Sequence, residues 1–364
     1  MHLTQLTLAR YRNLSPLELS PEPGISVFVG RNAQGKTNIV ESVYFCCTAR
    51  SHRTTHDKEI IRWEEDNAYL RAETLHRDGR HLVEIGLNST GKKMLKVNGL
   101  PARRLGELMG HVNAVMFAPE DLSLVKAGPA VRRRFLDMDM SQTDANHFYD
   151  LQVYQKALNQ RNTLLKQIAF HPKKAEQLDV WDAQLAPLGA RIVVRRRRFA
   201  RQLFEQALEA HTNLTHGERL EARYMASLEA SETAQATQEL LDLLAHSHDS
   251  DIRRGATAHG PHRDDFTMLV NGYDLRLYGS QGQHRSAALS LKLAELAVMA
   301  ERTGEMPILI LDDVLSELDE RRREGLLKAV EGVQTLLTCV KVEEEMRSMK
   351  LNIYDVFDGQ VRRR

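Results

Sequence analysis

The chain has 364 residues, of which 42% are hydrophobic and 27% are charged, and its formal net charge is +1 at pH 7. This length allows more than one hydrophobic core, and this composition excludes a disordered or fibrous protein. A net charge so near zero also excludes a global positive field. Any nucleic-acid partner must therefore be held by local basic patches.

The cysteines and the amino terminus bear on location. Cys46, Cys47 and Cys339 match neither a disulfide framework nor a metal-binding pattern. No charged segment leads into an apolar one after Met1, and the apolar runs are too short to cross a bilayer. These features predict a cytoplasmic protein that has no membrane span.

The first third of the chain predicts a strand, a glycine-rich loop and a helix, followed by antiparallel strands. A buried strand is expected at 25 to 29, and helical periodicity begins at Lys36. Residues 68 to 100 alternate as strands do, and Pro129 is expected to open a helix.

The middle of the chain has a different character. Residues 144 to 215 contain few glycines and predict two long antiparallel helices, separated at His171-Pro172. The apolar pattern is too brief for an extended coiled coil, so a short arm is expected. Residues 226 to 256 are polar and are expected to include a loop.

The last third predicts a hairpin at Asn271-Gly272, a helix from about 285 to 301 and an apolar strand at 307 to 311. One last strand is expected at 334 to 340. The basic run 362 to 364 is expected to be a frayed tail. The predicted fold class is α/β with mixed α+β lobes.

The strongest motif follows the strand at 25 to 29. The run Gly30-Arg31-Asn32-Ala33-Gln34-Gly35-Lys36-Thr37 matches the phosphate-loop pattern G-x-x-x-x-G-K-[ST] at every fixed position. Backbone N–H groups of such a loop and the start of the following helix surround phosphates. Lys36 is expected to act on the β- and γ-phosphates, and the Thr37 hydroxyl to hold magnesium. The sequence therefore predicts binding of ATP with Mg²⁺.

A second motif ends the apolar strand at 307 to 311. Asp312 is expected to hold Mg²⁺ beside the phosphate loop, and Asp313 to face the attacking water as general base. A third motif, Ser280-Gln281-Gly282-Gln283, precedes a long helix and predicts another anion site. Taken alone, this third motif is also compatible with an ordinary glycine-rich helix cap.

In this order, the three motifs resemble the ATPase head of the ABC class. Ser280, Gln281, Gly282 and Gln283 then correspond to the signature, and Ser316, Glu317, Leu318 and Asp319 to the D-loop. In such heads the signature covers the γ-phosphate held by a second copy. The resemblance therefore implies an ATP-dependent head-to-tail homodimer with two shared sites.

The match narrows to the RecF family of bacterial recombination proteins. The stretches that resemble it are Leu8 to Leu14, Pro129 to Asp137, Gly260 to Asp265 and Leu311 to Asp319. The resemblance implies an ABC-type head formed by residues 1–130 and 255–364, an inserted helical arm at 131–254 and no long coiled coil. It also assigns Arg12 and Asn13 to the ATP site.

The function that this resemblance implies is ATP-dependent DNA binding in recombinational repair and replication restart. Such a protein dimerises on ATP, binds junctions of single- and double-stranded DNA or gapped duplex, works with RecR and RecO to load RecA at gaps, and supports SOS induction. Its ATPase is expected to be weak, DNA-stimulated and used as a switch.

The sequence departs from the wider class at four points. Asp313 stands where most heads carry Glu, which predicts slow hydrolysis because its side chain is shorter. Gln281 replaces a glycine of the signature. Thr338-Cys339 occupies the region of the usual switch histidine, and Glu120 is the nearest counterpart of the magnesium-binding glutamine.

Basic runs are the candidate DNA contacts, namely Arg132, Arg133 and Arg134 in one run and Arg195 and Arg196 in another. A solvated charged face is the alternative for each run. Aromatic residues make up only 6% of the chain, which favours recognition of the DNA backbone over base stacking. The residues His259, His262, Asp264 and Asp265 are not expected to form a metal site, because their spacing fits no common ligand pattern. Their role is expected to be either structural or close to the nucleotide.

Two other functions remain as alternatives. The first is an ABC-type ATPase subunit of a membrane transporter, although a compact helical subdomain would then replace the arm at 144 to 215. The second is a subunit of a nuclease complex, although no phosphoesterase cluster of His and Asp is present.

Overall fold

The structure is a computed structural model, and it describes residues 1–215, 217–346 and 349–364. The strands are β1 (His2–Ala9), β2 (Leu17–Leu19), β3 (Ile25–Val29), β4 (Asn67–His76), β5 (Gly79–Asn88), β6 (Lys93–Val97), β7 (Leu100–Pro101), β8 (Ala114–Phe117), β9 (Leu220–Met225), β10 (Asp265–Val270), β11 (Tyr273–Asp274), β12 (Ile308–Asp312), β13 (Thr335–Cys339), β14 (Leu351–Phe357) and β15 (Gln360–Arg363).

The helices are α1 (Lys36–Thr48), α2 (Ser123–Lys126), α3 (Pro129–Thr143), α4 (Ala145–Ile168), α5 (Leu178–Leu214), α6 (Thr233–His246), α7 (His248–Arg254), α8 (Leu275–Tyr278), α9 (Gln281–Thr303) and α10 (Glu320–Ala329). No helix within 1–215, 217–346 or 349–364 combines the length and apolarity needed to cross a membrane.

Three sheets organise the chain. The first is antiparallel, in the order β2-β1-β4-β5-β6-β7, and the third is the small antiparallel sheet β11-β10-β9. The second has the order β15-β14-β3-β13-β12-β8, in which β14, β3, β13, β12 and β8 run parallel. Strand β13 therefore separates β3 from β12, the two strands that carry the predicted nucleotide motifs.

The parallel sheet is covered on both faces. Alternate residues of β12 enter different cores: Leu309 and Leu311 belong to one cluster, and Ile308 and Ile310 to the other. This follows from the two-residue repeat of a strand, and it explains why β12 reads as a continuous apolar run. Helix α1 shares its cluster with the antiparallel sheet, and α9 shares the opposite cluster with the end of α5.

The middle of the chain forms two long helices that pack against each other, as predicted. The Asp144 carboxylate caps α4 by accepting from the N–H groups of Asn146 and His147. A short 3₁₀ segment, Pro172–Gln177, connects α4 to α5 at the predicted break. A separate apolar cluster, which extends from Tyr154 to Leu244, holds α4, α5 and α6 together.

The boundaries 130/131 and 254/255 stay a prediction. The core of the head also takes in α3, through Phe135 and Leu136, and the second half of α5, through Phe199 and Leu203. Parts of the predicted arm therefore share a core with the predicted head.

Three element predictions were wrong. The signature helix begins at Gln281 instead of about 285. The strand at 334 to 340 is not the last, because β14 and β15 follow it. The expected frayed tail is wrong for Arg362 and Arg363, which are part of β15.

Candidate functional site

The phosphate loop joins β3 to α1, as the sequence predicts. Ala33 and Gly35 both have positive φ values, +66° and +107°, which turn successive backbone groups inward. Gly35 is the cap residue of α1 and no side chain accepts a hydrogen bond from the first N–H groups of that helix. These donors are therefore available to a phosphate at the positive end of the helix dipole.

The Lys36 side chain lies across the loop. Its Nζ donates to the carbonyl oxygens of Gly30, at 2.5 Å, and Arg31, at 3.0 Å. These two carbonyl oxygens accept the hydrogen bonds that the ammonium group would give to the β- and γ-phosphate oxygens of a bound nucleotide. Burial lowers the pKa of Lys36, and the charges of Asp313 and Asp312 act in the opposite direction.

The phosphate loop and the acidic strand meet at one carboxylate. Thr37 Oγ1 donates to Asp312 Oδ1 at 2.9 Å, and Thr338 Oγ1 donates to the same oxygen at 2.7 Å. Asp312 is 6% exposed, and burial raises its pKa while the two hydroxyl donors lower it. The hydroxyl and carboxylate oxygens are hard ligands of the kind that Mg²⁺ prefers, so this pair fits the predicted metal role.

Asp313 adopts a strained backbone conformation beside this pair. Its φ is +52°, a region that non-glycine residues rarely occupy. Its N–H donates to Thr338 Oγ1 at 2.9 Å, and its carbonyl accepts from Ser316 Oγ at 2.8 Å. The neighbouring strand β13 thus fixes the backbone of the predicted general base.

Thr338 is the residue whose role sequence reasoning missed. Its hydroxyl bonds both Asp312 and Asp313, because β13 lies between β3 and β12. A threonine at the carboxyl end of an apolar strand was the available signal. Glu120 lies close enough to Asp312 for its charge to contribute to the raised pKa of that residue, as its assigned position requires.

The carboxy-terminal hairpin also contacts the phosphate loop. Asp358 N donates to Gln34 Oε1 at 2.7 Å, and Gly359 N donates to the Gln34 carbonyl at 3.1 Å. A Cβ on Gly359 would overlap the Asn13 carbonyl, so only glycine fits there. The dipeptide Asp-Gly is a hairpin signal that was present in the sequence.

Asn13 and Arg12 are placed differently. Asn13 Nδ2 donates to the Ala33 carbonyl at 3.3 Å, which puts Asn13 against the phosphate loop. The Arg12 guanidinium pairs instead with Glu41 of α1 at 2.9 Å, and it lies within 3.4 Å of Ser51 Oγ. Its assignment to the ATP site stays a prediction.

The signature segment begins α9. Ser280 and Gln283 form a reciprocal capping box, and Gln283 also donates to Glu218 at 2.8 Å. Ser280 and Gln281 are exposed. In the part of the chain that the structure describes, no hydrogen bond joins residues 280–283 to residues 30–37.

The D-loop follows the acidic strand in the chain and contacts α9, the helix that begins with the signature. Arg285 of α9 donates to the Glu317 carbonyl at 2.9 Å and lies 3.5 Å from its carboxylate. Leu318 is buried, and Asp319 caps α10 by accepting from Arg322 N at 2.9 Å. Ser316 is exposed beside Asp313. The D-loop and the signature helix are therefore in direct contact through Arg285 and Glu317.

The structure corrects part of the DNA-contact prediction. Arg132 is 4% exposed and forms a bidentate pair with Asp265, at 2.6 and 2.8 Å. Arg196 is 3% exposed and bonds both oxygens of Asp137, each at 2.8 Å. Both guanidinium groups are buried with carboxylates, so neither is available to a phosphate in this conformation.

The remaining arginines differ from one another. Arg195 is half-buried and lies 2.6 Å from Asp150. Arg133 is half-buried and donates to the carbonyl of Asp264, and Arg134 is exposed. Of the five arginines predicted to contact DNA, Arg133 and Arg134 are the two that form no ion pair among the described residues.

The segment Gly260 to Asp265 contacts α4, α5 and β9. Tyr154 of α4 bonds His262 Nδ1 at 2.8 Å, and Tyr224 and Arg196 both donate to Asp264 Oδ2. Burial lowers the pKa of His262 to about 4, so its ring is neutral at pH 7. These contacts agree with the structural interpretation of the cluster.

Comparison with known proteins places this geometry in a family. The family model described as "RecF/RecN/SMC N terminal domain" matches residues 2–362. A protein named "DNA replication and repair protein RecF" from Clostridium perfringens is 39% identical over 365 residues, with 99% of each chain covered. Its namesake from Geobacillus thermodenitrificans is 42% identical over 369 residues, again with 99% of each covered. This chain belongs to the RecF family.

Solved structures agree with the RecF assignment. A solved structure described as "the recombination mediator protein RecF-ATP in RecFOR pathway" superposes with a TM-score of 0.93 at 36% identity, covering 100% of this chain and 97% of the other. The SMC head from Pyrococcus furiosus has a TM-score of 0.58 at 14% identity, which shows a shared fold alone. The predicted α/β class and ABC-type head are confirmed.

Proposed function

We propose that this RecF-family chain is an ATP-dependent DNA-binding protein of recombinational repair and replication restart. The observation that carries the proposal is the bond from Thr37 to Asp312, which joins the phosphate loop to the acidic strand. Together with Lys36 and the free N–H groups of α1, it supplies donors for phosphates and oxygen ligands for Mg²⁺. The relatives named RecF, one of them an ATP complex, support the same function.

ATP is proposed to close a head-to-tail homodimer. Ser280 and Gly282 would cover the γ-phosphate held by a second copy, because no hydrogen bond joins the signature to its own phosphate loop among the described residues. Tyr273, Leu277 and Tyr278 lie just before the signature and are 70 to 73% exposed. Apolar side chains grouped in this way favour burial against a partner surface.

Hydrolysis is proposed to be slow and to time release of the dimer. When bound, Mg²⁺ would neutralise charge on the β- and γ-phosphates. Lys36 would hold the phosphates, and Asp313 would receive the proton of the attacking water. The short Asp313 side chain, on a backbone fixed by Thr338, favours a low ATPase rate. Stimulation of this rate by DNA is proposed from the family resemblance.

The wider role proposed is cooperation with RecR and RecO in loading RecA at single-strand gaps, with support of SOS induction. Residues 1–130 and 255–364 would form the head, and 131–254 the arm. A cytoplasmic location fits the three buried free cysteines. A transporter subunit is not favoured, since the relatives are named as replication and repair proteins.

Measuring molecular mass by light scattering, with and without ATP, tests the proposal. Wild-type protein is expected to become a dimer in ATP. Lys36→Met should lose both ATP binding and dimerisation, while Ser280→Arg should bind ATP and stay monomeric. Wild-type protein that remains monomeric at saturating ATP would refute the shared site.

A further inference from the structure

We propose that the cleft between α3 and α4 binds the phosphate backbone of DNA. This proposal rests on the DNA-binding function proposed above and names the surface that performs it. The cleft has a volume of about 510 Å³, and the turn after α1 contributes Arg50 to its wall. Arg133, Arg134 and Lys156 complete the set of unpaired cations around it.

The cations around the cleft are not paired with carboxylates. Within residues 1–215, 217–346 and 349–364, none of these four cations forms an ion pair. Among the same residues, Asp137 is the only carboxylate in the wall, and its two oxygens accept hydrogen bonds from Arg196. Burial raises the pKa of Asp137, but the Arg196 charge lowers it below its ordinary value, so this carboxylate is already neutralised. The cleft is therefore positive although the whole chain is nearly neutral.

Arg133 lies in the wall of the cleft without a direct ion pair. Its guanidinium is half-buried and donates to the Asp264 carbonyl at 2.7 Å, without a carboxylate within ion-pair distance in the described part of the chain. Burial and the nearby charge of Arg196 lower the pKa of Arg133, while the charges of Asp265, Asp264 and Asp137 act in the opposite direction. A phosphate in the cleft would give Arg133 a direct ion pair.

The exposed face of α4 carries groups that suit contact with a phosphate backbone. Gln152, Gln155, Lys156 and Asn159 are exposed and line the cleft. Their spacing of three, four and seven residues puts them on one helical face. That face offers amide donors and an ammonium group but no carboxylate, a combination found where proteins contact phosphate and sugar oxygens.

The aromatic residues of the cleft are buried. Phe148 and Tyr154 are 5% and 4% exposed, so their rings are packed in the floor and cannot stack on bases. Recognition by this surface is therefore directed at the backbone, which suits a protein that selects DNA by shape.

A second arginine-rich groove, between α5 and β9, does not meet these conditions. Arg219 and Arg223 both pair with Glu221, and Arg201 pairs with Glu205. Arg197 donates to the carbonyls of Leu228, Glu229 and Ala230. The groove therefore has two carboxylates for four arginines, whereas the α3–α4 cleft has one carboxylate for five cations. The larger excess of positive charge distinguishes the α3–α4 cleft from this groove.

The test compares two double variants of the full-length protein with equal loss of charge. Arg134→Gln with Lys156→Gln removes two exposed cations of the cleft. Lys173→Gln with Arg198→Gln removes two exposed cations outside it. Thermal unfolding and ATP-dependent dimerisation are measured for both, so that a folding defect is recognised.

Binding is measured with ATP present, by the fluorescence anisotropy of a labelled gapped duplex over a salt series. Each lost phosphate contact is expected to reduce the slope of log affinity against log salt by about 0.9, and the cleft variant to bind roughly 10-fold or more weakly at moderate salt. The outside variant is expected to match the wild type.

The outcomes separate the two proposals. A cleft variant that keeps the wild-type affinity and salt slope overturns the cleft assignment, while the DNA-binding function stands. An equal loss in the outside variant also overturns it, because the effect is then one of net charge. Wild-type protein that does not bind DNA at low salt in the presence of ATP refutes the proposed function itself.

Discussion

Thr338→Val is the substitution that most directly tests how β13 supports the site. Valine keeps the shape of threonine and removes only the hydroxyl. Thr338 is 1% exposed, so water cannot replace the lost group from outside. The change removes a donor to the Asp312 carboxylate at 2.7 Å and an acceptor for Asp313 N at 2.9 Å.

The size of the effect follows from these two bonds. A hydrogen bond to a charged group contributes about 1.5–3 kcal/mol, and a buried N–H left without a partner costs about 1–3 kcal/mol. Relaxation of the strained Asp313 backbone offsets part of this loss. We expect the free energy of unfolding to fall by about 3 kcal/mol at pH 7.5.

The effect also has a predicted pH dependence. Burial already raises the pKa of Asp312, and the Thr338 donor acts against that rise. Because the folded-state pKa lies above the unfolded value, deprotonation disfavours the folded state as pH rises through the interval between them. The valine variant lacks the Thr338 donor, so its folded-state pKa for Asp312 lies higher and the interval between the two pKa values is wider. The stability difference between variant and wild type should therefore be larger at pH 7.5 than below the unfolded pKa.

The assay is urea unfolding without nucleotide at several pH values, together with titration of ATP affinity against Mg²⁺. The variant should need more Mg²⁺, because protonation of Asp312 competes with the metal. Thr338→Ser keeps the hydroxyl and should restore most of both properties. A valine variant within about 0.5 kcal/mol of wild type, with an unchanged Mg²⁺ requirement, would refute the role given to Thr338.

Further predictions test the other features of the site. Arg196→Ala should lower the free energy of unfolding in urea by about 3–5 kcal/mol, because it leaves buried carboxylates unpaired. Arg134→Ala, at an exposed position, should lower it by less than about 0.5 kcal/mol. Equal losses in the two variants would contradict the role given to burial. Gly30→Ala should lower soluble yield and thermal stability, since its Cβ would overlap a carbonyl oxygen of β14, whereas Gly282→Ala, whose Cβ meets nothing closer than 3.7 Å, should fold normally. The folded pKa of His262, about 4, lies below its unfolded value of about 6.5, so stability should fall by up to about 3 kcal/mol as pH drops from 6.5 to 4. His262→Gln should remove that part of the pH dependence, and an unchanged profile would exclude His262 as its source.

The candidate nucleotide site could be assembled from the sequence because each of its motifs is local. The phosphate loop needs a strand, eight consecutive residues and a helix, and all three are adjacent in the chain. The acidic motif is local in the same way, because Asp312 directly follows the apolar residues of its own strand. Thr338 could not be assigned in this way, since its role depends on β13 lying between β3 and β12.

The arginine runs show the opposite case. Arg132 and Arg134 are two residues apart, but a helix turns about 100° per residue, so the two side chains leave α3 on nearly opposite sides. One is buried against Asp265, 133 positions away, and the other is exposed at the cleft. Composition and local pattern treat them alike, because the carboxylate that neutralises one of them is distant in sequence.

The sequence by itself determined the α/β class, the phosphate loop, the acidic strand and the family, since these depend on residues that are neighbours in the chain. Only the tertiary structure decided that the carboxy-terminal hairpin contacts Gln34, that Thr338 joins Asp312 to Asp313, and which arginines keep a free charge. Each of these depends on contacts between segments far apart in the chain, and the packing of the sheets alone brings those segments together.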